Sequence, residues 1–158
     1  MKIAFISDIH SNIFALKSVI THMKKLNINK ICILGDIIDY YYYPDEVLAT
    51  LLDDDFDIIS IIKGNHEDNL TFLFNNKDQL DDYTNKYGHG MEKVFNNCTK
   101  EQIEYLINLK EKDELNINNL KIGLFHGSIE SNKEHIYPDA QFDVLKKQTD
   151  QNFDFIFL

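Results

Sequence analysis

The sequence predicts an α/β domain whose central strands run parallel. Its apolar runs are short, rich in isoleucine and phenylalanine, and do not alternate with polar residues. Strands with this pattern are buried on both faces, as in parallel sheets that are covered by helices. Segments with the apolar periodicity of helices separate most of the runs, so that strand, helix and strand follow one another along the chain. The predicted strands are residues 3–6, 31–34, 58–62, 120–125 and 153–158.

Three helices are predicted with the most definite start signals. Between residues 13 and 23, apolar side chains recur at the i, i+3, i+4 spacing, and Ser11 is the expected N-cap before them. The second helix begins at Pro44, which suits a first helical turn, and acidic residues follow at the positive end of the helix dipole. A third helix follows Thr99. The first two helices supply the crossover connections that parallel strands need.

The middle of the chain, residues 67–119, is predicted to be mostly helical, with a strand signal returning near Glu114. Within it, the Asn- and Asp-rich residues 75–85 are predicted to form a loop or a lid. The Gly-His-Gly turn at residues 88–90 ends whatever structure precedes it. We expect one domain over residues 1–158, because no composition shift marks an internal boundary.

Charge and cysteine content restrict the partners and the compartment. The formal net charge is -10, and all 16 basic residues are lysines. A general grip on nucleic acid or on an anionic membrane needs excess basic residues, so neither partner is expected. Without an arginine fork, any phosphate chemistry must take its positive charge from elsewhere. The two cysteines are too few for a disulfide framework, and the N-terminus turns polar too early for a signal peptide, so a cytoplasmic protein is expected.

Polar side chains of the kinds that bind metals come directly after four of the predicted strands. The carboxyl ends of parallel strands meet at one edge of a sheet, so we expect these side chains to converge there. Carboxylate and amide oxygens mixed with imidazoles suit Mn, Fe or Zn. The set comprises Asp8 and His10 after the first strand, Gly35, Asp36 and Asp39 after the second, Gly64, Asn65 and His66 after the third, and His126 and Gly127 after the fourth.

Each of these clusters also has an ordinary structural explanation when it is taken alone, as a turn, an N-cap or a surface histidine. Together and in this order they resemble the calcineurin-like metallophosphoesterase superfamily, whose pattern is Asp-x-His, Gly-Asp-x-x-Asp, Gly-Asn-His-Asp/Glu and a later His-Gly. The segments around residues 7–12 and 44–47 resemble the small bacterial and archaeal phosphodiesterase branch, which includes dinucleoside polyphosphate hydrolases. The four motifs are matched at residues 8–10, 35–39, 64–67 and 126–127.

The resemblance implies a β-sandwich flanked by helices, in four layers ordered α, β, β and α, with a two-metal site at one end of the sheets. It implies that Asp8, His10 and Asp36 bind the first ion. Asp36, Asn65 and His126 are implied ligands of the second ion, so that Asp36 bridges the two. Two divalent ions are expected, Mn²⁺ first, with Fe, Zn, Ni and Mg as the alternatives.

The resemblance also implies a metal-dependent phosphoesterase, either of the phosphodiesterase type or a nucleotide or dinucleoside polyphosphate hydrolase. Two cations that share a water would activate it for in-line attack on phosphorus, and their charge would replace the missing arginines. His66 is implied to donate a hydrogen bond or a proton to a substrate oxygen, while Asp39 orients its imidazole. The expected partner is a small phosphorylated substrate such as a nucleotide.

The family pattern closes with a Gly-His-x-His motif after the strand that corresponds to residues 153–158, and the sequence ends at Leu158. We therefore expect a domain without its C-terminal strands, as in a fragment of a longer enzyme. The competing hypothesis is a catalytically impaired scaffold that binds a protein partner. The retained carboxylates and imidazoles favour the enzyme, because such groups repel or compete with one another when they hold no metal.

The remaining polar and aromatic clusters have simpler explanations. The tyrosines at residues 40–43 could stack on a nucleobase, but packing at the sheet edge is favoured. The aspartates at residues 53–55 lie before the amino end of a predicted strand, away from the site, and are predicted to form a solvated turn. His22 and His135 are expected on the surface. The turn at residues 88–90 lacks a second histidine and is not expected to replace the closing motif.

Overall fold

The chain forms two small β-sheets with helices around them. A computed structural model describes residues 1–52, 56–149 and 152–158. Its elements, in chain order, are β1 (Ile3–Ile6), α1 (Ile13–Lys25), β2 (Lys30–Leu34), α2 (Pro44–Leu51), β3 (Asp57–Ile62), α3 (Asn65–Asn75), a 3₁₀ helix (Lys77–Gln79), α4 (Leu80–Tyr87), α5 (Gly90–Asn97), α6 (Lys100–Ile107), β4 (Asp113–Ile117), β5 (Leu120–Leu124), α7 (Phe142–Thr149) and β6 (Phe155–Phe157).

Strands β1, β2 and β3 form a parallel sheet in that order, as predicted. The central strand β2 is buried on both faces, which explains why its sequence does not alternate with polar residues. Ile31 and Ile33 face the core that contains the apolar sides of α1 and α2. Cys32 and Leu34 point to the opposite face, because successive side chains of a strand alternate in direction.

The last strands lie in a second sheet and do not extend the first one. Strands β4 and β5 form an antiparallel hairpin, and β6 adds to β5 in parallel. The hairpin turn consists of Asn118 and Asn119, whose φ angles are 51° and 63°. Two left-handed residues in succession make the tight turn that joins antiparallel strands. The apolar pattern predicted a single parallel sheet, whereas residues 120–125 and 153–158 contribute to the second sheet, in which β5 and β6 still pair in parallel.

The two sheets pack face to face and share a small apolar core. Cys32 and Leu34 of β2 and Ile62 of β3 meet Ile122 and Leu124 of β5 there. The rings of Phe5 and Phe157 stack between the sheets with their centroids 3.8 Å apart. The predicted β-sandwich flanked by helices is thus confirmed, with a larger core between the first sheet and its helices.

The start of α1 differs from the prediction by one residue. Asn12 is the N-cap, and its side-chain oxygen accepts the backbone N–H of Ala15 at 3.1 Å. Ser11 is fully buried and has a left-handed φ of 59°. Its N–H donates to the carbonyl of Ile37 at 2.8 Å, so it belongs to the contact between the loops after β1 and β2.

The predicted helices after Pro44 and Thr99 are confirmed as α2 and α6, and Thr99 caps α6 through its side chain. Residues 77–87 are helical, in place of the predicted loop. The aspartates at residues 53–55 lie outside the described residues. No helix in the described parts of the chain is long and apolar enough to cross a lipid bilayer.

We predict that the cysteines of the folded protein react slowly with a disulfide reagent at pH 8. Burial raises the pKa of Cys32 to about 11, and burial together with the Asp45 charge raises that of Cys98 to about 12. The thiolate is the reacting form, so at pH 8 both thiols should react at least about 100-fold more slowly than in the unfolded chain. A thiol titration with and without guanidinium measures this. A thiol that reacts at once in the native protein would contradict it.

Candidate metal centre

The Glu67 carboxylate joins the loops that follow β2 and β3. It lies in the first turn of α3 and is fully buried. One oxygen accepts the backbone N–H groups of Asp36 at 2.9 Å and Gly64 at 2.7 Å, and the other accepts those of Ile37 at 2.9 Å and Ile38 at 3.3 Å. Burial and the Asp36 charge raise the pKa of Glu67, and the N–H groups oppose this rise. One side chain thereby fixes the backbone of both loops.

The two loops approach each other so closely that only glycine fits at the facing positions. A Cβ on Gly35 would lie 2.4 Å from the backbone nitrogen of Gly64, and a Cβ on Gly64 would lie 2.2 Å from Oδ1 of Asp36. Gly35 also has a φ of 92°, which other residues rarely adopt. This approach lets Oδ1 of Asp36 accept the N–H of His66 at 2.9 Å, at the start of α3.

Several of the polar side chains in this cluster belong to residues with a left-handed backbone conformation. The φ angles of Asp8, His10, Asp36 and Asp39 are 56°, 49°, 51° and 76°. Each costs about 1–2 kcal/mol in a residue other than glycine, and such strain is concentrated at functional sites. Backbone hydrogen bonds between the loops hold it in place. The N–H of His10 donates to the Asp36 carbonyl at 2.9 Å, and that of Asp8 donates to the Gly35 carbonyl at 3.2 Å.

Three imidazoles converge on one carboxylate oxygen, Oδ2 of Asp36. The Nε2 atoms of His126, His10 and His66 lie 3.3, 3.8 and 3.9 Å from it. The Asp8 carboxylate lies 3.7 Å from Nε2 of His10 and is the most exposed member of the group. Donor atoms that share an ion at about 2.0–2.2 Å lie roughly 3–4 Å from one another, so these groups have the spacing of shared ligands.

Backbone carbonyls orient two of the three imidazoles. Nδ1 of His10 lies 3.2 Å from the carbonyl oxygen of Ile38, and Nδ1 of His126 lies 2.7 Å from that of Leu34. A carbonyl only accepts, so Nδ1 carries the proton and Nε2 of the neutral ring offers a lone pair to the cluster. The amide oxygen of Asn65 lies 3.2 Å from Nε2 of His126 and adds a further oxygen donor.

His66 differs because its Nδ1 faces a carboxylate. Oδ2 of Asp39 lies 2.9 Å from this nitrogen and also accepts the hydroxyl of Tyr83 at 2.6 Å, while Oδ1 accepts the N–H of Tyr40 at 2.7 Å. Burial acts to raise the pKa of Asp39, but the hydrogen bonds from His66, Tyr83 and the Tyr40 N–H outweigh it and hold the pKa below its usual range. The Asp39 carboxylate is therefore the anionic partner of the His66 ring.

Of the tyrosines at residues 40–43, Tyr40 packs against the site. The ring of Tyr40 lies 4.6 Å from the rings of both His10 and His66, although about half of Tyr40 is exposed. Tyr43 contacts Phe14, and the run as a whole remains partly exposed.

The four motifs lie within a segment of the chain that matches a known protein family. Residues 1–157 match the family model described as the calcineurin-like phosphoesterase superfamily domain. The chain belongs to this superfamily. The family resemblance drawn from the sequence motifs is thereby confirmed.

Three known proteins are similar to most of this chain. The uncharacterized protein MJ0912 of Methanocaldococcus jannaschii is 35% identical over 149 residues, which is 90% of this chain and 57% of that protein. The hypothetical protein PH1004 from Pyrococcus horikoshii OT3 has a similar fold, with a TM-score of 0.74, 20% identity, and coverage of 92% of this chain and 63% of that one. A metallophosphoesterase from Sphaerobacter thermophilus has a TM-score of 0.61 and 26% identity over 87% of this chain and 51% of that one. The chain thus spans less than two thirds of each of these proteins.

Membership of this metallophosphoesterase family implies divalent metal ions, and the donor set fits them. Two overlapping groups have their ligand atoms within 4.8 Å of one another, namely His10, Asp36 and His66, and Asp8, Asp36 and His126. The hydrogen bond to His10 lowers the pKa of Asp8 to about 2. Burial opposes protonation of His126, but the hydrogen bond and charge of Asp36 raise its pKa to about 9. Anionic oxygens thus favour positive charge throughout the cluster.

The sequence predicted the side chains that converge in this cluster, but it did not predict the side chains that position them through hydrogen bonds. All seven predicted site residues lie in this cluster or in contact with it. Glu67 was visible only as the last position of the Gly-Asn-His-Glu motif, with no signal for its four hydrogen bonds. Tyr83 follows Asp39 by 44 residues and lies in a segment predicted to be a loop or a lid. His135 is exposed, as expected, and it also lines a cleft beside Asp8.

We predict that Glu67→Gln lowers the free energy of unfolding by about 2–4 kcal/mol, because an amide nitrogen would face N–H groups that need an acceptor. Urea unfolding followed by circular dichroism, without added metal, measures the change. Glu134→Gln is the matched control, since Glu134 is exposed and should shift the value by less than about 0.5 kcal/mol. Equal stability of the two variants would show that Glu67 does not hold the loops.

Proposed function

We propose that this protein is a metal-dependent phosphoesterase that hydrolyses small phosphorylated molecules. The observation that carries the proposal is the convergence of three imidazole nitrogens on Oδ2 of Asp36, within 3.3–3.9 Å. Family membership supports the same reaction class. Burying a carboxylate among imidazoles lowers the stability of the fold because these groups lose their hydration. Such an arrangement is typical of a functional site, and metal binding is the function that fits these groups.

We assign two ions to this cluster, with Asp36 between them. Following the family pattern, Asp8, His10 and Asp36 would hold one ion, and Asp36, Asn65 and His126 would hold the other. The donor atoms of His66 also lie within 4.8 Å of those of His10 and Asp36, and we assign His66 to the substrate instead. Mixed oxygen and imidazole donors favour Mn²⁺, Fe, Ni or Zn over Ca²⁺, and we propose Mn²⁺. The bound ions would supply Lewis-acid polarisation of a phosphate and a water of lowered pKa.

His66 is the proposed acid–base group of the chain. Its Nδ1 is held by Asp39 at 2.9 Å, so the opposite nitrogen, Nε2, points to the Asp36 side of the cluster. From there it would donate a hydrogen bond or proton to an oxygen of the phosphoryl group or of the leaving alcohol. Asp39 orients the His66 ring, because its carboxylate is ionised and accepts a hydrogen bond from Nδ1.

The surroundings favour a small substrate. An open cleft of about 210 Å³, large enough for a phosphoryl group, lies beside Asp8, Asp36 and His126. With a net charge of -10 and no arginine, the chain lacks the excess of basic residues that grips a nucleic-acid backbone. Nucleotides and small phosphodiesters both fit these limits.

We also propose that the protein is located in the cytoplasm, because its two unpaired cysteines favour a reducing compartment.

We predict that Asp36→Asn reduces Mn²⁺-dependent hydrolysis of bis-p-nitrophenyl phosphate and p-nitrophenyl phosphate by more than about 100-fold. Loss of the shared carboxylate charge should also lower the bound Mn²⁺ from two ions to fewer than one, measured by elemental analysis after desalting. Asp139→Asn, at an exposed loop position, is the control. A wild-type protein that binds Mn²⁺ yet hydrolyses neither ester would favour the scaffold hypothesis.

We predict that His66→Ala separates catalysis from metal binding. The variant should lose about 10²–10⁴-fold in kcat, the usual range for an acid–base group, and should keep both ions. The exposed His22→Ala serves as the control for removal of an imidazole. Loss of metal in His66→Ala equal to that in Asp36→Asn would assign His66 to the ions and refute its separate role.

A further inference from the structure

The carboxylate of Asp39 has three hydrogen-bond donors, and the sequence motifs account for only one of them. His66 is the partner that the family pattern implies. The other two are the N–H of Tyr40, 2.7 Å from Oδ1, and the hydroxyl of Tyr83, 2.6 Å from Oδ2. Tyr83 lies in α4, a helix that neither the motifs nor the proposed reaction uses.

The direction of each hydrogen bond around Tyr83 is determined by chemistry. Asp39 is ionised and only accepts, so the Tyr83 hydroxyl must donate to it. The hydroxyl oxygen then remains free to accept, and the amide nitrogen of Asn69 lies 3.4 Å from it. The chain of donors therefore runs from Asn69 to Tyr83 to Asp39, and His66 donates to the same Asp39 oxygen from the other side.

The carboxylate is also held on its remaining side. A Cβ on Gly90, the first residue of α5, would lie 2.4 Å from Oδ1 of Asp39 and 2.2 Å from the backbone nitrogen of Tyr40. The close approach of α5 and the N–H of Tyr40 thus fix Oδ1 of Asp39. Within the described residues, the second oxygen, Oδ2, has hydrogen bonds to His66 and Tyr83 only. Asp39 itself is fully buried, so no solvent reaches it while the Tyr83 hydroxyl is in place.

We propose that Tyr83 is a positioning residue that acts through Asp39 on the imidazole of His66. It fixes the plane of the carboxylate and so holds the His66 ring at the angle at which Nε2 faces the reacting group. This inference rests on the proposed function for its effect on turnover. Its effect on the His66 ring is independent of turnover and can be measured in a protein that hydrolyses nothing.

The first test compares Tyr83→Phe with Tyr87→Phe. Tyr87 lies on the same helix, packs against Tyr83 with a distance of 4.7 Å between the ring centroids, and is partly exposed, which makes it a control for packing. Tyr83→Phe should lower kcat by about 5- to 20-fold, with KM and Mn²⁺ content within about twofold of wild type. Tyr87→Phe should leave all three values within about twofold. A merely structural role for Tyr83 would instead lower Mn²⁺ content and activity together.

A double-mutant cycle tests whether Tyr83 acts through Asp39. Tyr83→Phe should cause no further loss of kcat once Asp39→Asn is present, because residues that act through one another are not additive. Equal fold-losses in both backgrounds would overturn the proposal. In the wild-type protein without bound Mn²⁺, which is paramagnetic, the proton on Nδ1 of His66 should give a sharp, slowly exchanging NMR signal, and Tyr83→Phe should broaden it by faster exchange.

The two readouts distinguish the failure of this inference from that of the proposed function. If the wild-type protein has no hydrolytic activity but Tyr83→Phe broadens the His66 signal, the positioning role holds and the phosphoesterase proposal fails. If Tyr83→Phe leaves both kcat and the signal at their wild-type values, the positioning role is wrong. The melting temperature of each variant confirms that it is folded.

Discussion

The buried Glu67 carboxylate is the interaction on which the geometry of the site depends. Its two oxygens accept four backbone N–H groups from the loops after β2 and β3. Backbone amides at a loop otherwise need water or a neighbouring strand, and this carboxylate replaces both in a place that water does not reach. The loops can then approach to distances that only Gly35 and Gly64 permit, and Asp36 is carried against the first turn of α3.

The cluster around Asp36 concentrates charge in a protein that has little positive charge to offer. The chain has no arginine, so its site relies on imidazoles in place of guanidinium groups. The anionic oxygens raise the pKa of His126 to about 9, and carbonyls fix the His10 and His126 rings with Nε2 turned inward. Divalent ions would satisfy the same oxygens better than protons do, because they bring more charge to one point. A chain with a net negative charge can therefore still bind a phosphate group at this cluster when divalent ions are present.

The sequence predicted which side chains would meet, because the carboxyl ends of parallel strands share an edge and the motifs follow those ends. The apolar pattern alone did not predict that the last strands form a second sheet, which only the family resemblance implied. The hairpin depends on the left-handed Asn118 and Asn119, and asparagine pairs occur in many kinds of loop. The sequence pattern also missed the groups that orient the site. Tyr83 contacts Asp39 through the tertiary structure alone, and a contact between residues 44 positions apart leaves no local pattern in the sequence.

A crystal structure of the protein with Mn²⁺ would show whether the Asp36 carboxylate lies between two divalent ions. Anomalous difference maps locate manganese without reference to the protein's assumed chemistry. We expect two peaks, one on each side of the Asp36 carboxylate, with Asp39 and Nδ1 of His66 in contact with neither. A map without a peak at Asp36, or with a single peak bound by Asp39, would contradict it.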